Sequence, residues 1–500
     1  MKSNLSILMI AAEAHPLAKV GGLADVMGAL PKALVGLGHD VRIALPHYKS
    51  IKRAKIRTEK VPGVDKIEIS LGGVTRVFAV RKTRLPGAPV GVILLGNDDL
   101  FGRDGIYADP ATGKDFPDNA ERFVFFSRAA LAAVEAAGWA PDVIHCHDYQ
   151  AGFVPAWLKT AGWPAGALRD AGTVFTIHNL AYQGVYPAEV GRAAGFGDDL
   201  LRPMGALEFY GNVNMMKAGI VFADTITTVS PTYSREIQTP EFGYGLEGVL
   251  RSRASDLLGI LNGADYGVWD PAVDKLIPCR YSRDNVAGKS ACRRHLVERT
   301  GLKADAVTPL VGMVSRMVDQ KGFDIVMEAM DAIMGLGVNL VVLGTGETRY
   351  QDALSSYAKR FPKRVWVKVG FDEELAHLIE AGCDMFLMPS KYEPCGLNQL
   401  YSMRYGTVPI VRKTGGLADS VWDYDGTERS TGFAFEEYSA RALVGAMERA
   451  VKTFAAGDLW PRLVDQAMAQ DFSWERSARI YQDTYAAMLD RKRAVSASEP

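Results

Sequence analysis

The stretch Lys19-Val20-Gly21-Gly22-Leu23-Ala24-Asp25 follows a short apolar run at residues 5–11 and opens a helical pattern. Its last five letters recur unchanged as Gly415-Gly416-Leu417-Ala418-Asp419, again after an apolar run and again before a helical pattern. A glycine pair lets a backbone approach a ligand closely, and a helix start offers free N–H groups and the positive end of a dipole. Unless the echo is a coincidence among 50 glycines, it predicts one anion-binding loop in each half of the chain, with a ligand bound between facing domains.

Short apolar runs that end in Gly, Pro or polar residues alternate with helical patterns along the whole chain. Runs of this kind, buried on both faces and separated by helices, are typical of parallel sheets. The sequence therefore predicts an α/β chain of two doubly wound domains. The predicted strands lie at residues 5–11, 41–45, 90–95, 142–147, 173–177, 310–315, 339–343, 365–369, 385–389 and 408–411.

The boundary between the domains is expected near residues 258–262, where Gly259 and Gly263 interrupt the pattern. We predict a first domain at residues 1–258, a second at residues 259–473 and a final segment at residues 474–500. A helix is predicted at the start of that segment, crossing back to the first domain, and the charged tail from residue 491 onward is expected to fray.

The composition excludes several classes of function. The chain has 500 residues, 48% hydrophobic and 23% charged, with a formal net charge of −1. Such an even balance argues against a general nucleic-acid binder but leaves room for a local basic pocket. No apolar run approaches the ~18 residues that span a bilayer. Five cysteines without a C-x-x-C pair predict neither disulfides nor a zinc site, so we expect a cytoplasmic protein.

Two cationic side chains follow the predicted strand at residues 310–315. Arg316 and Lys321 lie on the loop at the carboxyl end of that strand, where open α/β sheets bind ligands. An arginine fork together with the compact charge of a lysine suits a diphosphate. A solvent-exposed basic turn without a ligand is the alternative interpretation of the same residues. Lys19, beside the first glycine pair, is either a similar phosphate-binding residue or an ordinary surface lysine.

One carboxylate follows the predicted strand at residues 385–389. Glu393 precedes a helical pattern that begins at Leu397. Its side chain is placed to accept hydrogen bonds from sugar hydroxyls or to stabilise developing positive charge. A capping role in the first helical turn is the alternative.

Polar residues also end two strands of the first half. Asp148 and His178 are candidate contacts to a ligand because of that position; for His178 a place in the core or at a cap is the alternative. His145 and His147 share one face of the same strand, but they and Cys146 cannot all converge on one metal ion from there. We therefore expect no metal site.

Taken together, these motifs resemble the signatures of bacterial glycogen synthases and plant starch synthases. The resemblance covers nearly the whole chain in order, and its segments are residues 19–26, 176–184, 241–248, 259–265, 393–397 and 414–419. It implies a GT-B architecture, in which two Rossmann-like domains face each other across a deep cleft. It also implies transfer of glucose from ADP-glucose to the non-reducing end of an α-1,4-glucan (glycogen or maltodextrin), with retention of configuration and without a cofactor.

The resemblance further implies roles for single residues. Lys19 is similar to the donor-site lysine of the first domain, and Arg316 and Lys321 to the pair that grips the distal phosphate. Glu393 is similar to the essential glutamate near the glucose, and His178 to the histidine that meets the sugar. The remaining positions that fall on binding positions of the family are Gly21, Gly22, Asp25, Asp148, Asn262, Cys395, Gly396, Leu397, Thr414, Gly415 and Gly416.

Three residues depart from the family pattern. Tyr149 and Gln150 stand where many members read Trp-His, so an imidazole near the glucosyl site is missing. Phe371 stands where many members have a tyrosine near the adenine, so stacking is retained but a hydroxyl hydrogen bond is lost. These departures concern individual contacts rather than the reaction.

The sequence offers Glu393 no obvious carboxylate partner, although retaining hydrolases commonly use two carboxylates about 5 Å apart. We therefore hypothesise that the acceptor hydroxyl attacks on the same face from which the diphosphate leaves, with Arg316 and Lys321 stabilising that leaving group. The alternatives are a related synthase that uses UDP-glucose, an α-glucan phosphorylase with a pyridoxal phosphate lysine, and a polysaccharide-binding protein without catalysis.

Overall fold

The computed structural model describes residues 4–160, 163 and 166–498, and the chain forms two compact units. Unit 1 comprises Met1–Val229, Ser234–Ile260 and Trp474–Pro500, and unit 2 comprises Ser230–Tyr233 and Leu261–Ser473. The boundary falls after Ile260, two residues later than the sequence predicted, because residues 257–259 still pair with the sheet of unit 1. Residues 1–3 and 499–500 of the predicted segments lie outside the described residues.

Unit 1 is built on a mixed sheet whose central strands are parallel and mostly buried. Its strands are β1 Ser6–Ile10, β2 Asp40–Pro46, β3 Glu59–Lys60, β4 Lys66–Leu71, β5 Val74–Arg84, β6 Gly91–Gly96, β7 Val143–His147, β8 Gly172–Ile177, β9 Val185–Pro187, β10 Glu208–Phe209, β11 Asn212–Asn214, β12 Thr225–Thr228 and β13 Leu257–Gly259. Within the described residues the order is β13-β12-β8-β7-β1-β2-β6-β5-β3, with β4 paired to β5. The pairs from β13 to β6 are parallel, whereas β3, β4 and β5 pair antiparallel at one edge. A separate small sheet has the order β10-β11-β9.

The helices of unit 1 connect these strands. They are α1 Gly22–Gly36, α2 Lys49–Arg53, α3 Asp98–Phe101, α4 Asn119–Ala136, α5 Phe153–Lys159, α6 Ala167–Asp170, α7 Ala188–Ala193, α8 Asp198–Leu201, α9 Met215–Phe222, α10 Pro231–Glu236 (which begins in unit 2), α11 Glu247–Ser252 and, at the end of the chain, α20 Trp474–Ser498. Helix α20 packs against α1 and β8.

Unit 2 contains a parallel sheet with helices on both faces. Its strands are β14 Leu310–Val314, β15 Asn339–Gly344, β16 Val365–Val369, β17 Met385–Met388, β18 Val408–Arg412 and β19 Phe433–Phe435. Its other helices are α12 Ala287–Thr300, α13 Phe323–Gly335, α14 Thr348–Arg360, α15 Glu373–Gly382, α16 Asn398–Arg404, α17 Gly415–Ser420, α18 Ala440–Phe454 and α19 Leu459–Met468. The strand order is β16-β15-β14-β17-β18-β19.

The alternation of side chains along a strand explains why both faces of the unit 2 sheet are covered. Val311 and Met313 belong to one apolar core, together with residues of α13 and α18. Leu310 belongs to the core on the other face, which includes residues of α12 and α15. Successive side chains of a strand point to opposite faces, so a continuous apolar run requires helices on both sides. This confirms the prediction of doubly wound α/β domains.

The last helix is longer than the sequence predicted. The tail was expected to fray from residue 491, but α20 continues to Ser498. Lys492 donates hydrogen bonds to the carbonyl oxygens of Arg169 and Ala171, and Arg491 donates one to the Thr225 hydroxyl. These bonds hold the charged turn against the end of the sheet, which the pattern of the tail alone could not reveal.

Candidate active site

A buried carboxylate organises the loop that precedes α1. Oε2 of Glu13 accepts hydrogen bonds from the backbone N–H groups of Val20, at 2.5 Å, and Gly21, at 2.8 Å. Oε1 of the same side chain accepts a bond of 2.6 Å from the Tyr107 hydroxyl. The sequence predicted that this glycine loop offers free N–H groups to an anion. That prediction is wrong for Gly21, because its N–H is occupied by Glu13.

Lys19 forms an ion pair with Asp25 in the first turn of α1. The two charged atoms lie 2.5 Å apart, with 42% of the lysine side chain and 27% of the aspartate side chain exposed. A Cβ atom on either Gly21 or Gly22 would meet no other atom within 4 Å. The four predicted residues of this loop therefore lie together, beside open space at the start of a helix.

Asp148 fixes the backbone of the loop that follows β8. Its Oδ1 accepts a hydrogen bond of 2.8 Å from the backbone N–H of His178. Asp148 itself has a φ of 54° and a ψ of −176°, which lies outside the left-handed helical region and is a strained conformation for any residue other than glycine. Burial raises the pKa of Asp148 to about 7, against the lowering effect of the His178 N–H and with a further increase from the charge of Glu13.

The imidazole of His178 is the end of a stack of three histidines. Its Nε2 lies 3.0 Å from Nδ1 of His147, and the ring centroids of His147 and His145 are 4.1 Å apart. Burial lowers the pKa of His178 and of His145 to about 3, and that of His147 well below its usual value. All three rings are therefore neutral near pH 7.

In unit 2 the predicted glutamate and lysine form an ion pair. Nζ of Lys321 lies 2.6 Å from Oε2 of Glu393, and the Ser390 hydroxyl donates a hydrogen bond of 2.9 Å to the same oxygen. The Glu393 side chain is 7% exposed and the lysine 20%. The structure thus brings together two residues that are 72 positions apart in the sequence.

Arg316 lies on the same loop as Lys321 but has a different partner. Its Nη2 donates a hydrogen bond of 3.1 Å to the side chain of Gln320. The backbone carbonyl of Gln320 in turn accepts a bond of 2.9 Å from the N–H of Lys391. This bond joins the loop after β14 to the loop after β17, so the segments that hold Arg316 and Glu393 are neighbours.

The second glycine pair packs against the loop that contains Glu393. Gly415 has a φ of +45°, and a Cβ atom there would overlap the carbonyl oxygen of Glu393. A Cβ on Gly416 would overlap the carbonyl oxygen of Cys395, and the Gly416 N–H donates to the Glu393 carbonyl at 3.1 Å. For Gly416 the prediction of a free N–H is therefore wrong. The close contact of two backbones explains both glycines.

The remaining predicted residues of unit 2 surround the same loop. Burial raises the pKa of Cys395 to about 12, against the effect of a hydrogen bond with the Asn262 backbone. Oδ1 of Asn262 is buried and has no hydrogen-bond partner among the described residues. Gly396 has a φ of +73°, Leu397 is the N-cap of α16, and the buried Thr414 is the N-cap of α17.

Four residues of this arrangement were missed by the sequence reasoning. Glu13 and Ser390 hold the glycine loop and Glu393, and His147 meets the ring of His178. Gln399 donates hydrogen bonds from Nε2 to the carbonyl oxygens of Cys395 and Gly396. The available signal was proximity in sequence, since all four lie within six residues of a predicted site residue.

The residues that depart from the family pattern have different surroundings. Gln150 is buried, and its Oε1 has no hydrogen-bond partner in the part of the chain that the structure describes. Tyr149 packs edge-on against Phe123, with ring centroids 6.1 Å apart. Phe371 is 85% exposed, so its ring is accessible on the surface of unit 2.

No helix in the described ranges is long and apolar enough to cross a membrane.

Comparison with protein families gives two matches along the chain. Residues 6–252 match the model of the starch synthase catalytic domain, and residues 298–453 match that of glycosyl transferases group 1. The chain is 46% identical to a glycogen synthase of Anaeromyxobacter dehalogenans strain 2CP-C, with 97% of this chain and 100% of that protein covered. It is 45% identical to glycogen synthase 2 of Geobacter metallireducens, with 98% and 100% covered.

A solved structure shows the same similarity. The catalytic domain of starch synthase IV from Arabidopsis thaliana, bound to ADP and acarbose, superposes with a TM-score of 0.89 at 35% identity. The comparison covers 98% of this chain and 100% of the plant domain. Both the sequence and the fold therefore agree with these relatives over nearly their full length.

Proposed function

Because the chain belongs to the glycogen and starch synthase family of GT-B glycosyltransferases, we propose that it transfers glucose from ADP-glucose to the non-reducing end of an α-1,4-glucan. Glucosyl transfer in glycogen synthesis is the activity that its relatives share by name. The choice of nucleotide is supported by the plant starch synthase structure, which was determined with ADP and acarbose. The observation on which the proposal rests is the Lys321–Glu393 pair, with its carboxylate buried, at the carboxyl ends of parallel strands.

Lys321 and Arg316 are proposed to bind the diphosphate of the donor. An ammonium group has three N–H donors and a guanidinium has five, so Lys321 can keep its bond to Glu393 and still reach a phosphate oxygen. Arg316 directs one donor to Gln320 and has others for a second oxygen. As the glycosidic bond of the donor breaks, negative charge develops on the diphosphate, and cations fixed beforehand stabilise that charge.

Glu393 is proposed to stabilise the positive charge that develops on the glucosyl carbon. Its hydrogen-bond partners are a lysine and a serine rather than a second carboxylate, which differs from the carboxylate pair of retaining hydrolases. We therefore propose attack by the acceptor 4-hydroxyl on the face from which the diphosphate leaves. The hydroxyl proton passes to the departing diphosphate, so the atoms balance without an enzyme nucleophile.

Further residues are proposed to bind the substrates. In unit 1, Lys19 with Asp25 is assigned to the donor, and Asp148 holds the backbone of His178, which is assigned to the sugar. The loop positions assigned to the sugar and phosphate are Gly21, Gly22, Asn262, Cys395, Gly396, Leu397, Thr414, Gly415 and Gly416. Gly21 and Gly416, whose N–H groups are bonded within the protein, are assigned as close backbone contacts rather than as N–H donors. A cytoplasmic location is also proposed, since all five cysteines are free thiols, as expected in a reducing compartment.

The test is incorporation of radiolabelled glucose into glycogen from ADP-glucose and from UDP-glucose. We expect ADP-glucose to be the better donor; a clear preference for UDP-glucose would establish the alternative, and no transfer from either would refute the proposal. Lys321→Ala and Arg316→Ala should each lose about 2–4 kcal/mol of transition-state stabilisation, or roughly 30- to 1,000-fold in turnover. Arg441→Ala, which removes the exposed pair of Arg441 with Glu437 at the start of α18, is the control and should leave turnover unchanged.

Lys19 is tested by the same assay. Lys19→Ala should raise the KM for ADP-glucose, because a charge contact to the diphosphate is lost. Asp25→Asn keeps the lysine but weakens its positioning, so a smaller effect is expected. ADP-glucose kinetics that do not change in Lys19→Ala would remove this residue from the site.

A further inference from the structure

Three imidazoles form a continuous group at the carboxyl ends of β7 and β8 in unit 1. Nδ1 of His147 faces Nε2 of His178 at 3.0 Å, and their ring centroids are 5.3 Å apart. On its other side the ring of His147 lies against His145, with centroids 4.1 Å apart and planes tilted by 31°. His147 is completely buried, whereas His178 is half-buried. His178 therefore contacts the protein interior through His147.

The contact between His147 and His178 needs one proton, and each neutral ring has one to offer. Burial keeps both rings uncharged near pH 7 by lowering their pKa values. A neutral imidazole has one N–H donor and one bare nitrogen acceptor. Either His147 donates from Nδ1 to His178, or His178 donates from Nε2 to His147, and the two arrangements leave different atoms unpaired.

The surroundings of His147 favour the first arrangement. Its Nε2 is buried and has no hydrogen-bond partner among the described residues. If His178 were the donor, Nε2 of His147 would have to hold the proton, and a buried N–H without an acceptor is costly. If His147 donates from Nδ1, its Nε2 is a bare nitrogen and no N–H is left without an acceptor.

We propose that His147 is a positioning residue that fixes the tautomer and the ring plane of His178, so that His178 offers an N–H donor from Nδ1 to the bound sugar. The proposal rests on the proposed function only for the last step, the contact between His178 and substrate. A hydroxyl oxygen of the sugar accepts that hydrogen bond. With the opposite tautomer, Nδ1 of His178 would instead accept a hydrogen bond from a sugar hydroxyl.

His147 is itself held in place by its neighbours. Nδ1 of His145 lies 2.8 Å from the hydroxyl of Tyr485 on α20, and Nε2 of His145 lies 2.6 Å from the hydroxyl of Thr176 on β8. With both nitrogens bonded, the ring of His145 is a fixed surface for that of His147. The rotation of His147 is thereby restricted, as the orientation of His178 requires.

The tautomers can be measured without substrate. The full-length protein with 15N-labelled histidine is examined by long-range 1H–15N correlation, and the signals of the eight histidines are assigned by comparison with the His147 and His178 variants. We expect a protonated Nδ1 and a bare Nε2 for both His147 and His178. A spectrum in which Nε2 of His178 is protonated would overturn the proposal, whatever the activity of the enzyme.

Two amide variants of His147 test the consequence for catalysis. In His147→Asn the amide nitrogen takes the place of Nδ1 and retains the donor, whereas in His147→Gln it lies nearer the place of Nε2. We expect His147→Gln to lose about tenfold in kcat, as for the loss of one buried hydrogen bond, and His147→Asn to keep most of it. Thermal unfolding establishes that both variants are folded. Equal losses of kcat in the two folded variants would contradict the proposal.

A separate variant distinguishes this proposal from the assignment of His178 itself. If His178→Ala leaves glucosyl transfer unchanged, the proposed function of His178 fails, although the tautomer result can still stand. If His178→Ala lowers transfer but His147→Gln does not, the positioning role of His147 is refuted while the role of His178 remains.

Discussion

The ion pair between Lys321 and Glu393 should contribute to the stability of unit 2 as well as to the reaction. Lys321→Ala leaves a carboxylate of which only 7% is exposed, with Ser390 as its remaining bonded partner. Removing one member of a buried pair costs about 3–5 kcal/mol. Since one fifth of the lysine side chain is exposed, we expect a lower value of ~2–3 kcal/mol.

The burial of the two side chains predicts an asymmetry between the single variants. Glu393→Gln should cost less than Lys321→Ala, because the more exposed lysine can be hydrated when its partner is neutral. The double variant Lys321→Ala/Glu393→Gln should recover part of the loss, since it removes the unpaired charge as well as its partner. A double-mutant cycle of this kind separates the pair energy from the effect of each truncation.

The assay is thermal unfolding followed by calorimetry, together with glucosyl transfer by the same variants. For a unit of roughly 200 residues, each kcal/mol moves the midpoint by about 2–4 °C, so Lys321→Ala should unfold about 4–12 °C earlier. The exposed pair Arg441–Glu437 is the control, and Arg441→Ala should move the midpoint by at most about 2 °C. A midpoint for Lys321→Ala that equals that of the unaltered protein would refute the reasoning.

Three more predictions concern the loops. The raised pKa of Asp148, about 7, means that the folded state holds a proton more tightly than the unfolded state, so stability falls as pH rises from about 4 to about 7. Asp148→Asn should reduce this fall by ~1–3 kcal/mol in denaturant unfolding at pH 5 and pH 8; an unchanged pH profile would contradict the assigned burial. Gly415→Ala should destabilise the protein by more than ~2 kcal/mol, because the added Cβ overlaps the Glu393 carbonyl at a position with positive φ. Gly21→Ala should cost less than ~1 kcal/mol, because open space surrounds that position. Equal losses of stability in thermal unfolding would be inconsistent with the packing. Gly22→Pro removes one N–H at the first helical position, where proline is well tolerated, so it should raise the KM for ADP-glucose without lowering stability, and unchanged kinetics would show that this N–H does not meet the donor.

Most of the central strands of both sheets could be predicted because they are buried on both faces. The predicted strand at residues 365–369 coincides with β16, and the others agree with the structure to within one residue at each end. The small sheet of β9, β10 and β11 was missed, because strands of two or three residues have too little sequence to show a period. The antiparallel strand β5 was also missed, since charged residues interrupt it on both faces and a search for continuous apolar runs passes over it.

The sequence indicates which residues are candidates for the site, but not which side chains contact them. The carboxyl end of a parallel strand is a reliable place for a ligand contact, which led to Arg316, Lys321 and Glu393. That Lys321 pairs with Glu393 depends on β14 lying beside β17, and strand order is not encoded locally. Glu13 illustrates the same limit, because an acidic residue near a glycine loop does not reveal that its carboxylate points back to the loop.

The repeated letters at residues 21–25 and 415–419 have different physical explanations. In the first copy the glycines face open space, and Asp25 pairs with Lys19. In the second copy the glycines permit contact with another backbone, and the aspartate, Asp419, accepts hydrogen bonds from the N–H and hydroxyl of Thr232. Identical sequence therefore does not establish identical function here. Packing alone accounts for the second glycine pair, so any contact of that loop with phosphate must be tested by binding. In the first loop packing does not require glycine, so a bound ligand is the remaining reason for the glycine pair.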